Sequence, residues 1–405
     1  MSDNKWWQLS DFHYFCDSML VYSITIISLF AVVYTYAIYP LLLKFLSSFK
    51  KSNLLFFNEK EDLPGVSIVM AAYNEEKVIE EKIVSLLNSN YPSDKMEILI
   101  GSDNSTDRTD AIIKKYAEKH TNIILYRFDS RTGKTAIIND LVSRTKHEIL
   151  ILTDANVMFE RSTVFELIKN FKNSEIALVD SRMMTTGIKK EGISLQEKTY
   201  IQAEVYIKHY EGKIWGTMMG PFGGCYAMRK SFFHPVPSHF LVDDFFINMK
   251  TLIHGGKCIN EINALAFEDA SNNPEIEFKR KIRIAAGSFQ NLFYFLPLLL
   301  KPGYLSFCFF SHKVLRWFGP VFILIFFTGS LFLYDAIFFR IIIGGTLLIA
   351  VSPLLDYLTR KMNVHLPFLR FFSHFATANA AQLAGLFRYL SGIKSSIWQP
   401  TARNQ

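Results

Sequence analysis

The sequence predicts a membrane-anchored α/β protein in which one block, built on a parallel sheet, sits between apolar helices. Three observations predict it. An uncharged run covers 18 to 43, the final third of the chain is apolar, and strand-like runs alternate with amphipathic helical patterns from 66 to about 182. With 50% hydrophobic residues in 405, the chain is also richer in apolar side chains than a wholly soluble protein needs.

The first run, SMLVYSITIISLFAVVYTYAIYPLLL, is long enough to span a hydrocarbon core of about 30 Å as a helix. A cleaved signal peptide is the competing reading, but the apolar stretch is too long and no small-residue cleavage site precedes Lys44, Lys50 and Lys51. Those lysines orient the carboxyl end of the helix toward the cytoplasm by the positive-inside rule. The expected organisation therefore begins with an N-terminal region at 1–46 and a linker at 47–65, followed by a cytoplasmic domain at 66–288.

At the other end, 317 to 334 and 336 to 355 read as a helical hairpin turned at Asp335, with Arg340 near enough to the end to snorkel. Lys313 and Arg316 precede the hairpin while Arg360, Lys361 and Arg370 follow it, so both of its ends face the cytoplasm. Residues 371 to 390 are interrupted by His374, Asn379 and Gln382 and fit either a third carboxyl-terminal span or an interfacial helix. FQNLFYFLPLLL, 289 to 300, is too short to span and reads as interfacial. This divides the remainder into an interfacial segment at 289–316, a membrane region at 317–393 and a tail at 394–405.

A formal net charge of +7 does not signal nucleic acid here, because the basic residues flank membrane segments instead of forming a stripe interleaved with stacking aromatics. Cys16, Cys225, Cys258 and Cys308 lack CxxC or metal-ligand spacing, so no disulfide framework or zinc site is implied.

Within the central block, VSIVMAAYN (66–74) is a strand ending in a loop, and EEKVIEEKIVSLLNS (75–89) repeats apolar residues at helical spacing. MEILIGSDNSTD (96–107) repeats the strand and polar loop, followed by a helix over 108–119. NIILYRF (122–128), a helix at 134–145, the strand EILILTDAN and finally IALVDSRMM (176–184) complete the series. Ligands of such sheets bind at the carboxyl edge of the strands, and the polar residues gather there: Asn74 and Glu75, Asp103 and Asp107, Arg131 and Lys134, Asp154 and Asn156.

Carboxylates such as Asp103 and Asp154 accept hydrogen bonds from a base and a ribose, while Arg131, Gly133 and Lys134 at a helix amino terminus offer donors to a pyrophosphate. That combination points to a nucleotide diphosphate. Neither GxGxxG nor GxxxxGK[ST] occurs, so dinucleotide and P-loop chemistry lose support.

Taken in order, AAYNE, SDNSTDRT, RTGKTAIIN, TDAN, GPFGGCYAMRK, VDDFF and RKIRIAAGSFQ resemble the membrane-embedded family 2 glycosyltransferases, the inverting GT-A-fold group that includes cellulose, chitin, hyaluronan and poly-N-acetylglucosamine synthases. The resemblance covers 66 to about 290 and the flanking spans. It implies a sugar donor linked to a nucleotide, most simply UDP, a growing glycan or lipid-linked acceptor, a Mg²⁺ or Mn²⁺ ion, and the inner membrane as location.

Residue by residue, the resemblance implies that Tyr73 and Glu75 line a uracil pocket, with Asp103 accepting from the base. It sets Lys134 near the phosphates and Asp154 near both diphosphate and metal. Asp244 matches the catalytic base, Asp243 the acidic residue before it, and Arg283, with Arg280, the pyrophosphate-facing strip. Gly223, Gly224 and Cys225 fall where the acceptor approaches, although GPFGG also reads as a plain loop and Cys225 as a small buried side chain.

Two departures stand out. Asn156 replaces the second aspartate of Asp-x-Asp, keeping an oxygen ligand but losing a charge. Arg280 and Ile284 replace the glutamine and tryptophan of Gln-x-x-Arg-Trp, which removes the ring that processive relatives stack on the acceptor. Competing readings are a single-addition glycolipid enzyme, an inactive nucleotide-sugar-binding scaffold, an N-cap role for Asp244, and anionic headgroup binding by Arg280, Lys281 and Arg283. A transporter is disfavoured by the long block separating one helix from the rest.

Overall fold

The computed structural model describes residues 4–50, 55–186, 194–269, 274–362, 364 and 366–393, with side chains described from 19 and from 201 at the starts of the first and third of these helical stretches. Lys51 and the tail at 394–405 lie outside the described residues.

Among the described residues eight strands form one sheet in the order β3-β2-β1-β4-β7-β6-β8-β5. They are β1 (Val66–Ala72), β2 (Met96–Ser102), β3 (Ile123–Arg127), β4 (Ile149–Thr153), β5 (Val157–Phe159), β6 (Ile176–Thr186), β7 (Cys225–Arg229) and β8 (Lys257–Asp269). The β3-β2-β1-β4 half is parallel, as the alternating pattern predicts. Beyond β4 the sheet is mixed: β7 runs antiparallel to both β4 and β6, whereas β6 and β8 are parallel. Both faces are covered, so β1 reads as a continuous apolar run: Ile68 and Met70 pack on one side, Val69 and Ala71 on the other.

Among the described residues two helices, Met19–Ser48 and Ile337–Lys361, are long and apolar enough to cross a membrane. A third span results if Tyr304–Trp317 and Gly319–Phe332, bent by 60° at their junction, count as one. The break explains why 317–334 does not form a simple straight span: Gly319–Phe332 has only 14 residues, about 21 Å at helical rise. Within the first span a π-turn at Tyr34–Ile38 precedes Pro40, the residue that cannot complete the helical hydrogen-bond ladder.

The helix Pro274–Phe295 runs through the segment expected at the interface. Phe289, Leu292 and Phe295 are buried in the core under the sheet, while Phe293, Tyr294 and Leu296 are exposed. The helix Pro367–Leu390 is amphipathic and lies against it, with Gly385 so close that an added Cβ would sit 2.3 Å from Ala285 Cβ.

Candidate nucleotide and acceptor site

The strand ends deliver their loops to one edge and tie them together. After β1, Asn74 takes φ 52° and accepts from Thr106 N at 2.9 Å, while Glu75 N donates to Thr109 Oγ1 at 2.8 Å. Asp103, at the end of β2, is fully buried. Its carboxylate accepts from Thr132 N at 2.6 Å, Gly133 N at 3.2 Å and Arg131 Nε at 3.0 Å, and the Arg131 guanidinium lies 3.2 Å from the Tyr73 ring centroid. Asp103 and Tyr73 thus shape the turn that ends at Gly133, φ 89°, and launches the helix Lys134–Arg144.

That helix points Lys134 into a cavity of about 800 Å³ bordered by Glu75, Asp154, Asn156, Asp243 and Asp244. Lys134 Nζ lies 2.8 Å from Asp154 Oδ1 and 3.6 Å from Asp243 Oδ2. Burial opposes its charge, but Asp154 and Asp243 hold the ammonium firmly protonated. Asp243 and Asp244 open the helix Asp243–Ile253, where the dipole favours negative charge. Burial, reinforced by the adjacent Asp243, nevertheless pushes Asp244 up to about 7, and its Oδ1 accepts from Phe245 N at 2.6 Å.

The Gly220–Gly224 loop closes the space between Asp154 and Asp244. Asp154 N donates to Gly224 O at 3.1 Å, and a Cβ at Gly223 would stand 2.3 Å from Asp244 Oδ2. The loop is held from beneath by Asp180 on β6, which accepts from Phe222 N at 3.1 Å, Asn260 Nδ2 at 3.1 Å and Lys208 Nζ at 2.5 Å. Burial raises the Asp180 carboxyl and lowers the Lys208 amine, and only their mutual pairing makes the buried charges tolerable.

A second arm of the cavity runs toward the apolar helices, past Tyr36, Ile284, Trp317 and Gln382. Along it, Arg280 is held by Glu277 at 2.9 Å, Arg283 Nη1 donates to Leu241 O at 3.2 Å, and Lys281 Nζ lies 3.2 Å from His374 Nε2. Burial, with Arg280 nearby, lowers the Arg283 guanidinium. Lys313 and Arg316 share Glu204, at 2.6 Å for Lys313. Burial would raise Glu204, yet His312, Lys313 and Arg316 hold it well below the carboxylate range. His312 bridges Glu204 and Glu211 at 2.9 Å each, and Glu211 also accepts from Tyr39 OH at 2.7 Å.

Of the residues the sequence singles out, Glu75, Lys134, Asp154, Asn156, Gly223, Gly224, Asp243, Asp244, Arg280 and Arg283 border this one cavity. Tyr73 and Asp103 do not border it; they brace the 131–133 turn. Cys225, expected beside the acceptor, does not border the cavity either: strand alternation turns its side chain into the core, where burial pushes the thiol up to about 12. Sequence reading missed Asp180, Glu204, Lys208, Glu211 and His312. The signal lay in the spacing of Glu204, Lys208 and Glu211, which places three charged residues on one face of a helix that is otherwise packed.

Among the described residues no cluster of three or more His, Cys, Asp or Glu side chains is arranged to hold a metal. Asp154 and Asn156 nevertheless present a carboxylate and an amide to the cavity. That donor set suits a hard divalent cation that takes its remaining oxygens from water and a substrate diphosphate.

Residues 67–236 match the family described as glycosyl transferase family 2. The chain is 30% identical over 130 residues to a beta-monoglucosyldiacylglycerol synthase of Nostoc sp., the match covering 32% of this chain and 28% of that protein. It is 28% identical over 122 residues to a poly-beta-1,6-N-acetyl-D-glucosamine synthase of Staphylococcus epidermidis, covering 30% and 29%. These matches thus span under a third of the curated relatives. A mannosyltransferase from Pyrobaculum calidifontis, solved with GDP-Man and Mn²⁺, superposes with a TM-score of 0.70 at 18% identity, covering 91% of this chain and 99% of that one. The fold is therefore the GT-A arrangement with flanking apolar helices.

Proposed function

We propose, from the match of residues 67–236 to glycosyl transferase family 2, that the protein transfers a sugar from a nucleotide sugar, most simply UDP-linked, to a membrane-borne acceptor with inversion. The observation that carries the reading is the placement of Asp244, pushed up to about 7, in the same cavity as the Lys134–Asp154 pair. A base matched to neutral pH and a fixed cation are the two groups that direct displacement at an anomeric carbon requires.

In this mechanism the acceptor hydroxyl oxygen attacks the anomeric carbon as its proton passes to Asp244. The bond from that carbon to the diphosphate breaks, the electron pair leaves with the diphosphate, and one displacement inverts the anomeric centre. Lys134 neutralises the departing charge, with Arg280 and Arg283 contributing from the other wall. Asp154 and Asn156 would hold Mg²⁺ or Mn²⁺, which supplies further charge neutralisation on the diphosphate. Lysines and arginines flanking the spans support an inner-membrane location with the domain on the cytoplasmic face.

For the acceptor, both a growing glycan and a lipid are represented among the relatives. Ile284, which borders the cavity where processive relatives carry a stacking ring, favours single addition to a lipid. Incubating the membrane-embedded protein with a panel of nucleotide sugars and Mg²⁺ or Mn²⁺, and measuring nucleotide release and product size, tests both. No release with any donor sinks the assignment; a ladder of long products rejects the single-addition form.

A further inference from the structure

The membrane-side arm of the cavity contains donors that the donor-sugar reading leaves unused. Lys281 lies on the helix Pro274–Phe295. Its one hydrogen bond among the described residues is to His374 Nε2, at 3.2 Å, on the facing helix Pro367–Leu390. A protonated ammonium only donates, so this contact leaves its charge uncompensated. Gln382 lies two turns beyond His374, borders the same arm, and has a buried Nε2 with no hydrogen-bond partner. Lys313 enters from a third helix, its ammonium 2.6 Å from Glu204, and borders the same cavity.

Three helices therefore bring two ammonium groups and an orphan amide donor to the border of one cavity. That is the wrong environment for a neutral apolar group, since each buried donor left unmade is costly. It suits a group with several oxygens and a negative charge. The recess is bordered by Tyr36 of the first span and by Trp317 at the junction of the bent helix pair, so a bilayer lipid is the nearest source of such a group.

We propose that this arm is a binding site for the phosphate of an anionic phospholipid, held by Lys281, Gln382 and Lys313. The proposal rests on the reading of the cavity as a donor and acceptor site, and it adds that the lipid at the acceptor end is recognised through its phosphate. Lys281 and Gln382 act as binding residues here, distinct from Asp244 and Lys134.

The test places the full chain in nanodiscs of phosphatidylcholine with and without phosphatidylglycerol and measures retained lipid by native mass spectrometry. Fluorescent UDP binding is followed in parallel. Wild type should retain phosphatidylglycerol over phosphatidylcholine, and Lys281→Gln or Gln382→Leu should each reduce that preference about tenfold, as expected for one hydrogen bond to a charged group. UDP binding should stay unchanged, and Lys281→Arg should restore the preference. Equal retention of the two lipids by wild type, or an intact preference in Lys281→Gln, overturns the proposal. So does full displacement of the lipid by inorganic phosphate at matching concentration, which would make the arm a general phosphate site. Lipid preference without nucleotide binding would remove the glycosyltransferase reading instead and leave the lipid site standing.

Discussion

The Lys134 ammonium lies 2.8 Å from the Asp154 carboxylate, so this cation is held in place by the residue that follows β4. Replacing Lys134 by Met removes that cation while the helix Lys134–Arg144 keeps its other contacts to the sheet. Nucleotide release should fall by about 10²–10³, the usual cost of losing one preorganised charge donor, with unchanged circular dichroism. Retained turnover would show that Lys134 merely satisfies Asp154.

A carboxyl works as a base only when ionised, and burial together with Asp243 pushes Asp244, the proposed base, up to about 7. The rate should therefore rise with pH through about 7 and then level off. The stability effect has the opposite sign. A folded-state value raised above the unfolded one means the native protein binds the extra proton, so this contribution is present at acid pH and lost as pH rises through about 7. Asp244→Asn should remove the pH-dependent limb, lower turnover by about 10²–10⁴, and raise Tm relative to wild type at pH 8. A lower Tm for the variant at that pH would contradict the buried, partly protonated carboxyl.

Asn156 stands two residues past Asp154 and borders the same cavity. Asn156→Asp adds the missing charge, and Mn²⁺ affinity in the presence of UDP, read by electron paramagnetic resonance, should tighten about tenfold. An unchanged affinity would mean that Asn156 does not face the ion.

Gly223 leaves room for Asp244 by lacking a side chain, since a Cβ there would fall 2.3 Å from Oδ2. Gly223→Ala should displace the carboxylate and cut turnover about 10²-fold, as small misplacements of a reacting group do, while UDP affinity holds. Loss of both together would point to a collapsed loop instead.

The site's sheet-edge half was legible in the sequence because its residues follow buried strands directly. Asp154 follows β4, Glu75 follows β1, and Lys134 opens a helix after a glycine. Two kinds of information were not legible. The side on which a residue falls within a strand-end loop decides that Asp103 braces a turn and that Cys225 enters the core, and no periodicity extends into such loops. The membrane-side arm depends on pairings between distant positions, such as Glu204 with His312 across 108 residues, which local patterns do not record. The helix Pro367–Leu390 was ambiguous for the same reason: Gly385 makes sense only against Ala285.

The stripe of Glu204, Lys208 and Glu211 also limits how this protein can be dissected. Ending the chain near 300, the obvious way to obtain a detergent-free catalytic fragment, would strip His312, Lys313 and Arg316 from Glu204. Deleting the first span would take Tyr39 from Glu211. Orphaning the Glu204 carboxylate would cost about 3–5 kcal/mol, the penalty of breaking a buried pair from one side. Such a fragment should aggregate or bind lipid unspecifically, and purification is better served by keeping the apolar helices and choosing the detergent.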